Sequence, residues 1–227
     1  MTVNQPEPKV ANITLRMLLN TITRLMGRRG LRLILSRADR IYYLADMPPE
    51  NFQLAVPCST LTRIFNAIEA VGGKRAMRMF MAHAGKDYTE YLWQAIPHVF
   101  ESMRDTIDRT LTPHGQLRYA VDLLAAAGGQ FAEVKVVVEE IDNAIYFTLP
   151  YTLDSWGQNA ETPICWSMRT SLETQLKRLT NDNIITVREM TCRACGNANC
   201  SFQISREESL PLYAERDPLI SRSVGGG

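Results

Sequence analysis

The chain has 227 residues, 45% of them hydrophobic and 22% charged, which is enough to bury one substantial core but not two independent large domains. Twenty-five Lys and Arg against 24 Asp and Glu leave a net charge of +1, so no global basic field points to nucleic acid. No apolar run approaches the length of a membrane span, and none follows Met1 as a signal core would. The expectation is therefore a cytoplasmic protein.

In chain order, residues 1–10 are polar with two prolines and read as a disordered N-terminus. Residues 11–130 read as helical. Leu15, Leu18, Leu19, Ile22, Leu25 and Met26 recur at helical spacing up to Gly27, and a second helix carries Leu31, Ile34 and Leu35. After a loop at 46–51, Ser59 or Thr60 is the expected cap of a helix with Leu61, Ile64, Phe65, Ile68 and Val71 on its inner stripe. Residues 26–38 lie over residues 72–84 at an offset of about 46, which reads as two helical hairpins related by duplication. A further helix is expected over Tyr88–Arg109, bent or broken at Pro97, and another over Leu117–Ala127 that stops at Gly128-Gly129.

The period then changes. Glu133–Ile141 and Ala144–Tyr151, separated by Asp142-Asn143, carry the signature of a β-hairpin. Cys165–Leu179 returns to helix, and Ile184–Met190 and Cys200–Ile204 form a second pair of short strands. The expected fold is α+β: an antiparallel sheet of four or more strands packed on one face by helices, behind an N-terminal all-helical half. Residues 131–206 form the sheet-bearing part and 207–227, ending Gly-Gly-Gly, a loose tail.

Four of five cysteines crowd the last third, spaced as Cys165 and then Cys192-x2-Cys195-x4-Cys200. In a reduced compartment that clustering points to a metal before it points to a disulfide framework. Glu189 shares a strand face with Ile185 and Val187, where a carboxylate is costly unless exposed, paired or bound to a cation. The candidate ligands are Cys165, Glu189, Cys192 and Cys200, with Cys195 as the alternative fourth ligand. The competing readings are cysteines packed as small hydrophobes, an iron–sulfur cluster, and a Cys192–Cys195 redox pair.

Pro163-Ile-Cys-Trp at a helix start, followed by Glu189-x2-Cys192-x3-Gly196-x3-Cys200-x-Phe202, resembles the 4-vinyl-reductase-type, or hydrocarbon-binding, domain family. The likeness spans about 45 residues (163–204). It implies the fold of Golgi-transport tethering subunits and haem nitric-oxide sensors. It also implies structural zinc held by Cys165, Glu189, Cys192 and Cys200, the extra Cys195 departing from the pattern. A closed four-ligand site leaves no position for substrate, and no phosphate-cradling glycine loop or other cofactor motif is present, so no enzymatic activity is expected.

Met77, Phe80, Met81, Trp93, Phe100, Met103 and Tyr146 are the expected lining of an adaptable apolar pocket. A haem site stays open, since a single proximal histidine has no local signature, although His83, His98 and His114 read as surface residues. The sequence thus suggests a zinc-stapled, non-catalytic homodimer that senses or carries a hydrophobic or aromatic small molecule. The alternatives are a ligand-free assembly module and an accessory factor in tetrapyrrole synthesis.

Overall fold

In chain order, the computed structural model, which describes residues 7–107, 109–131 and 134–206, runs β1 (Lys9–Ala11), α1 (Asn12–Arg37), a 3-10 turn (Ile41–Leu44), β2 (Leu54–Pro57), α2 (Cys58–Ala95), α3 (Pro97–Thr106) and α4 (Pro113–Phe131). The second half is β3 (Val137–Ile141), β4 (Ala144–Leu149), α5 (Trp166–Thr180), β5 (Ile185–Thr191), a 3-10 turn (Arg193–Cys195) and β6 (Cys200–Arg206). The α+β expectation holds: a four-stranded antiparallel sheet, ordered β3-β4-β6-β5, packs against helices. Asp142 and Asn143, both at positive φ (52° and 63°), turn β3 into β4 as a two-residue hairpin requires.

The N-terminal half contains more than helices. Val10 pairs with Val56 in a small antiparallel ribbon of β1 and β2, and the Glu7 carboxylate accepts the Ser59 N–H at 2.6 Å. Residues 7–10, expected to be disordered, are therefore placed by backbone pairing, and Pro57 rather than Ser59 or Thr60 precedes the helix. Residues 1–6 and the expected tail at 207–227 lie outside the described residues.

The repeat is matched in the backbone, where each copy is a pair of helices meeting at one glycine. Gly27 (φ 69°, ψ 176°) and Gly73 (φ 76°, ψ 172°) each interrupt a long helix with one residue in the same conformation, which a side chain would disfavour. Both helix starts, Asn12 and Cys58, keep the same spacing to their glycine, and each follows a short strand. Leu15, Leu18, Leu19 and Ile22 of one copy and Leu61, Ile64, Phe65 and Ile68 of the other are buried in one core.

Two other helix limits differ from expectation. Helix α2 runs on through Gly85 to Ala95, so Tyr88 lies inside it, and α3 begins afresh at Pro97, a favoured first position. Helix α4 continues past Gly128, because glycine weakens a helix by only about 1 kcal/mol. The sheet half has its own core, formed by β4–β6 against α3, α4 and α5, with Phe202, Ile145, Ile204 and Leu176 fully buried. The two cores meet where α2 crosses α5.

Candidate metal centre and ligand cavity

Three segments converge on one point. The Cys165 position immediately before α5, the end of β5 with its following turn, and the first residue of β6 bring Cys165, Glu189, Cys192 and Cys200 together. One donor atom from each lies within 4.8 Å of the others. Cys165 Sγ is 3.6 Å from Cys192 Sγ and 3.7 Å from Cys200 Sγ. Thiolates at ~2.3 Å from a tetrahedral ion sit about 3.8 Å apart, so the donors already have metal-binding spacing. The burial pattern of β5 explains Glu189: it is in phase with inward-facing Ile185 and Val187.

The electrostatics of the cluster fit a cation. Glu189 Oε2 accepts the Cys165 N–H at 2.8 Å, while Oε1 is buried without a partner. An orphaned carboxylate oxygen in the interior is costly, and a metal ion would satisfy it. Hydrogen bonding from the Cys165 thiol pulls Cys192 down to about 4 and Cys200 down to about 6, and pushes Cys165 itself upward. Burial pushes Glu189 up to about 8. Backbone N–H groups complete the shell: Arg193 N–H donates to Cys200 Sγ at 3.3 Å, and those of Ile164 and Ala194 point at Cys192. Cys195 lies outside this group of donors and is half-buried at the end of the turn; Cys58 is buried elsewhere, in the helical core.

Between the two cores lies a cavity of ~230 Å³, lined by β1, α1, α2, α3, α4, β4 and α5 and by the segments preceding β3 and following β4. Leu18, Leu61 and Phe65 face it from the helical half; Phe147, Leu149 and Leu172 face it from the sheet half. Its few polar groups include Thr14, Tyr88, Thr152, Ser171 and Gln175. Burial raises the pKa of Tyr88, which stays neutral beside Thr14.

Of the seven residues expected to line a pocket, Met81 and Phe100 do so. Met77 lines a separate, more polar hollow of ~330 Å³ beside the 154–166 loop, and Phe80 packs into the helical core. Trp93 stacks on Phe100 at 4.8 Å with Arg178 over its other face, and Met103 packs on the sheet core. Tyr146 is out of phase with Phe147 on β4, so it points away and receives Gln203 Nε2 at 3.3 Å. Sequence reasoning missed the rest of the α2 stripe that Met81 begins, Ala84, Gly85, Tyr88 and Leu92; its i, i+3, i+4 spacing was the available signal.

No family profile matches the chain, and no curated protein sequence matches it. Solved structures do. An H-NOX protein from K. algicida in the unliganded Fe(II) state aligns at 9% identity over 88% of this chain and 98% of that one, with a TM-score of 0.60. An H-NOX protein from S. oneidensis in the Fe(II)NO state aligns at 11% identity over 87% and 99%, with a TM-score of 0.53. The phenol-responsive sensory domain of the transcription activator PoxR, with phenol, aligns at 19% identity over 68% and 76%, with a TM-score of 0.43. The chain has the H-NOX fold.

A histidine-ligated haem does not fit the cavity. Among the described residues, no histidine or cysteine lines it. His83 and His98 are exposed, and His114 Nε2 lies 2.8 Å from Glu140 Oε1. Among the described residues, no helix is long and apolar enough to cross a membrane.

Proposed function

We propose that this chain is a non-catalytic sensory or carrier domain: zinc at Cys165, Glu189, Cys192 and Cys200 staples the sheet to α5, and a small apolar molecule occupies the cavity between the two cores. The observation that carries the ligand reading is a cavity lined by both halves of the fold with mostly apolar side chains. An apolar cavity of about 150 Å³ accepts benzene, so ~230 Å³ suits a one- or two-ring aromatic. The resemblance of residues 163–204 to hydrocarbon-binding domains agrees with it. The same reading includes a cytoplasmic homodimer, for which size-exclusion with light scattering is the check.

Naphthalene is the probe for the cavity. Native mass spectrometry and calorimetry are expected to show one molecule per chain, and Ala84→Phe, which places a ring in the cavity, is expected to weaken it at least tenfold with little change in melting temperature. No binding to the wild-type chain, or binding indifferent to Ala84→Phe, sinks the ligand reading.

The fourth zinc ligand has its own test. Glu189→Ala is expected to lower zinc affinity by at least tenfold, because it removes a donor whose free oxygen is buried in the cluster. Cys195→Ser is expected to leave zinc content at one per chain. The reverse order, read by competition with a chromophoric chelator, would assign the site to four sulfurs.

A further inference from the structure

The cavity and the sulfur cluster share two walls. Leu149, Tyr151, Thr152 and Leu153 line the cavity from the segment that leaves β4, and Ser155 follows in the same turn. The Thr152 hydroxyl donates to Cys165 Sγ at 3.0 Å. The Thr152 N–H donates to Ser155 Oγ at 3.0 Å, and Ser155 Oγ lies 3.3 Å from Cys200 Sγ. The second wall is the start of α5, where Ser167, Met168 and Ser171 face the cavity. That helix follows directly on Cys165, and Asp154 of the same turn accepts both the N–H and the hydroxyl of Ser167. Thr152, Asp154 and Ser155 are each at most 5% exposed, so solvent does not loosen these bonds.

We infer that Thr152 couples the two sites: an ion at the cluster fixes the cavity wall through the Thr152–Cys165 hydrogen bond, and a molecule in the cavity holds the ion in return. The inference rests on the reading above that the cluster takes zinc and the cavity an apolar molecule. An ion holds each sulfur to ~2.3 Å, and a hydroxyl bonded to that sulfur is held with it. With Cys165 released, Thr152 has a second acceptor, Ser155 Oγ at 3.2 Å, so its hydroxyl has another place to go. Thr152 itself lines the cavity, so a change in the partner of its hydroxyl is felt at the cavity wall. Linkage makes the effect reciprocal: whatever zinc does for the apolar ligand, that ligand does for zinc.

The test follows zinc loss from the holo-protein to a chromophoric chelator, with and without saturating naphthalene. In the wild type, naphthalene is expected to lower the equilibrium loss of zinc about 5-fold or more, the lower end of ordinary coupling. In Thr152→Val, which keeps shape but lacks the hydroxyl, the effect is expected to fall below about 2-fold while zinc and naphthalene each still bind. Thr152→Ser is expected to restore it, an outcome that a purely packing role for Thr152 does not produce. Equal coupling in Thr152→Val and wild type overturns the assignment to Thr152. Binding of both partners to the wild type without mutual effect overturns the coupling alone, whereas failure of either partner to bind overturns the underlying reading of the two sites.

Discussion

Cys192→Ser is expected to abolish stoichiometric zinc and to lower the melting temperature by roughly 10–20 °C, and chelation of the wild-type protein is expected to reproduce most of that loss. Cys192 is fully buried, with Cys165 Sγ at 3.6 Å, and the turn that follows it depends on its carbonyl for the N–H groups of Cys195 and Asn197. Serine supplies no thiolate, so an ion would keep three donors and lose the tetrahedral closure of a structural site. Without the ion, two buried sulfurs and a carboxylate are left in contact, and the orphaned Glu189 oxygen has no counter-charge. Structural zinc contributes about 10–16 kcal/mol to small fingers that have no other core. This chain has two cores, so only several kcal/mol should pass into global stability, at about 2–4 °C per kcal/mol for a domain of this size. Zinc content by atomic spectroscopy and a thermal melt in the same buffer check both parts. An unaltered melt on chelation would remove the staple from this account.

The cluster was legible in the sequence because its geometry is local. Cys192 and Cys200 flank one hairpin turn, Glu189 is fixed on the inner face of β5 by two-residue alternation, and Cys165 begins a helix marked by periodicity. Each step follows from a rule about neighbours. The cavity obeys no such rule, since its wall comes from more than five elements separated by up to about 165 residues of chain. Choosing methionines and aromatics selected residues that fill cores. Met77 and Phe80 lie a turn early on α2, Trp93 is committed to Phe100 and Arg178, and Tyr146 faces the opposite side of its strand from Phe147. The ribbon of β1 and β2 was invisible for a different reason. Three or four residues are too few to display a period, and their pairing is enforced by the helices that start from each strand. Gly128 misled in turn, because a glycine within a helix marks either an end or a close approach, and sequence does not separate the two.

Gly85 is such a close approach, which reverses the usual sign of a glycine-to-alanine change. In a free helix interior, Gly→Ala gains about 1 kcal/mol. A Cβ at Gly85, however, would stand 2.3 Å from the Ser167 carbonyl oxygen and 3.0 Å from its carbon, both backbone atoms of α5. Backbone cannot rotate aside as a side-chain tip does, so α2 and α5 must separate. The separation would open the buried contact between Thr89 Oγ1 and Ser171 Oγ (3.0 Å) one turn further on. Overpacking of this kind costs about 1–3 kcal/mol and sometimes more, and an unmade buried hydrogen bond adds about 1–3 kcal/mol. Gly85→Ala is therefore expected to destabilise by roughly 1–5 kcal/mol net, and Gly85→Val by more. Gly128→Ala is the control: its Cβ would meet only Val136 Cγ2, at 3.7 Å, an ordinary contact. It should be neutral or stabilising by up to about 1 kcal/mol. Because Ser167 also carries the Asp154 bonds at the start of α5, Gly85→Ala should loosen the helix from its first turn and weaken naphthalene binding together with stability. Urea unfolding of the two variants beside the wild type decides the point: equal stabilities for Gly85→Ala and Gly128→Ala would mean that α2 and α5 do not touch as closely as this fold requires.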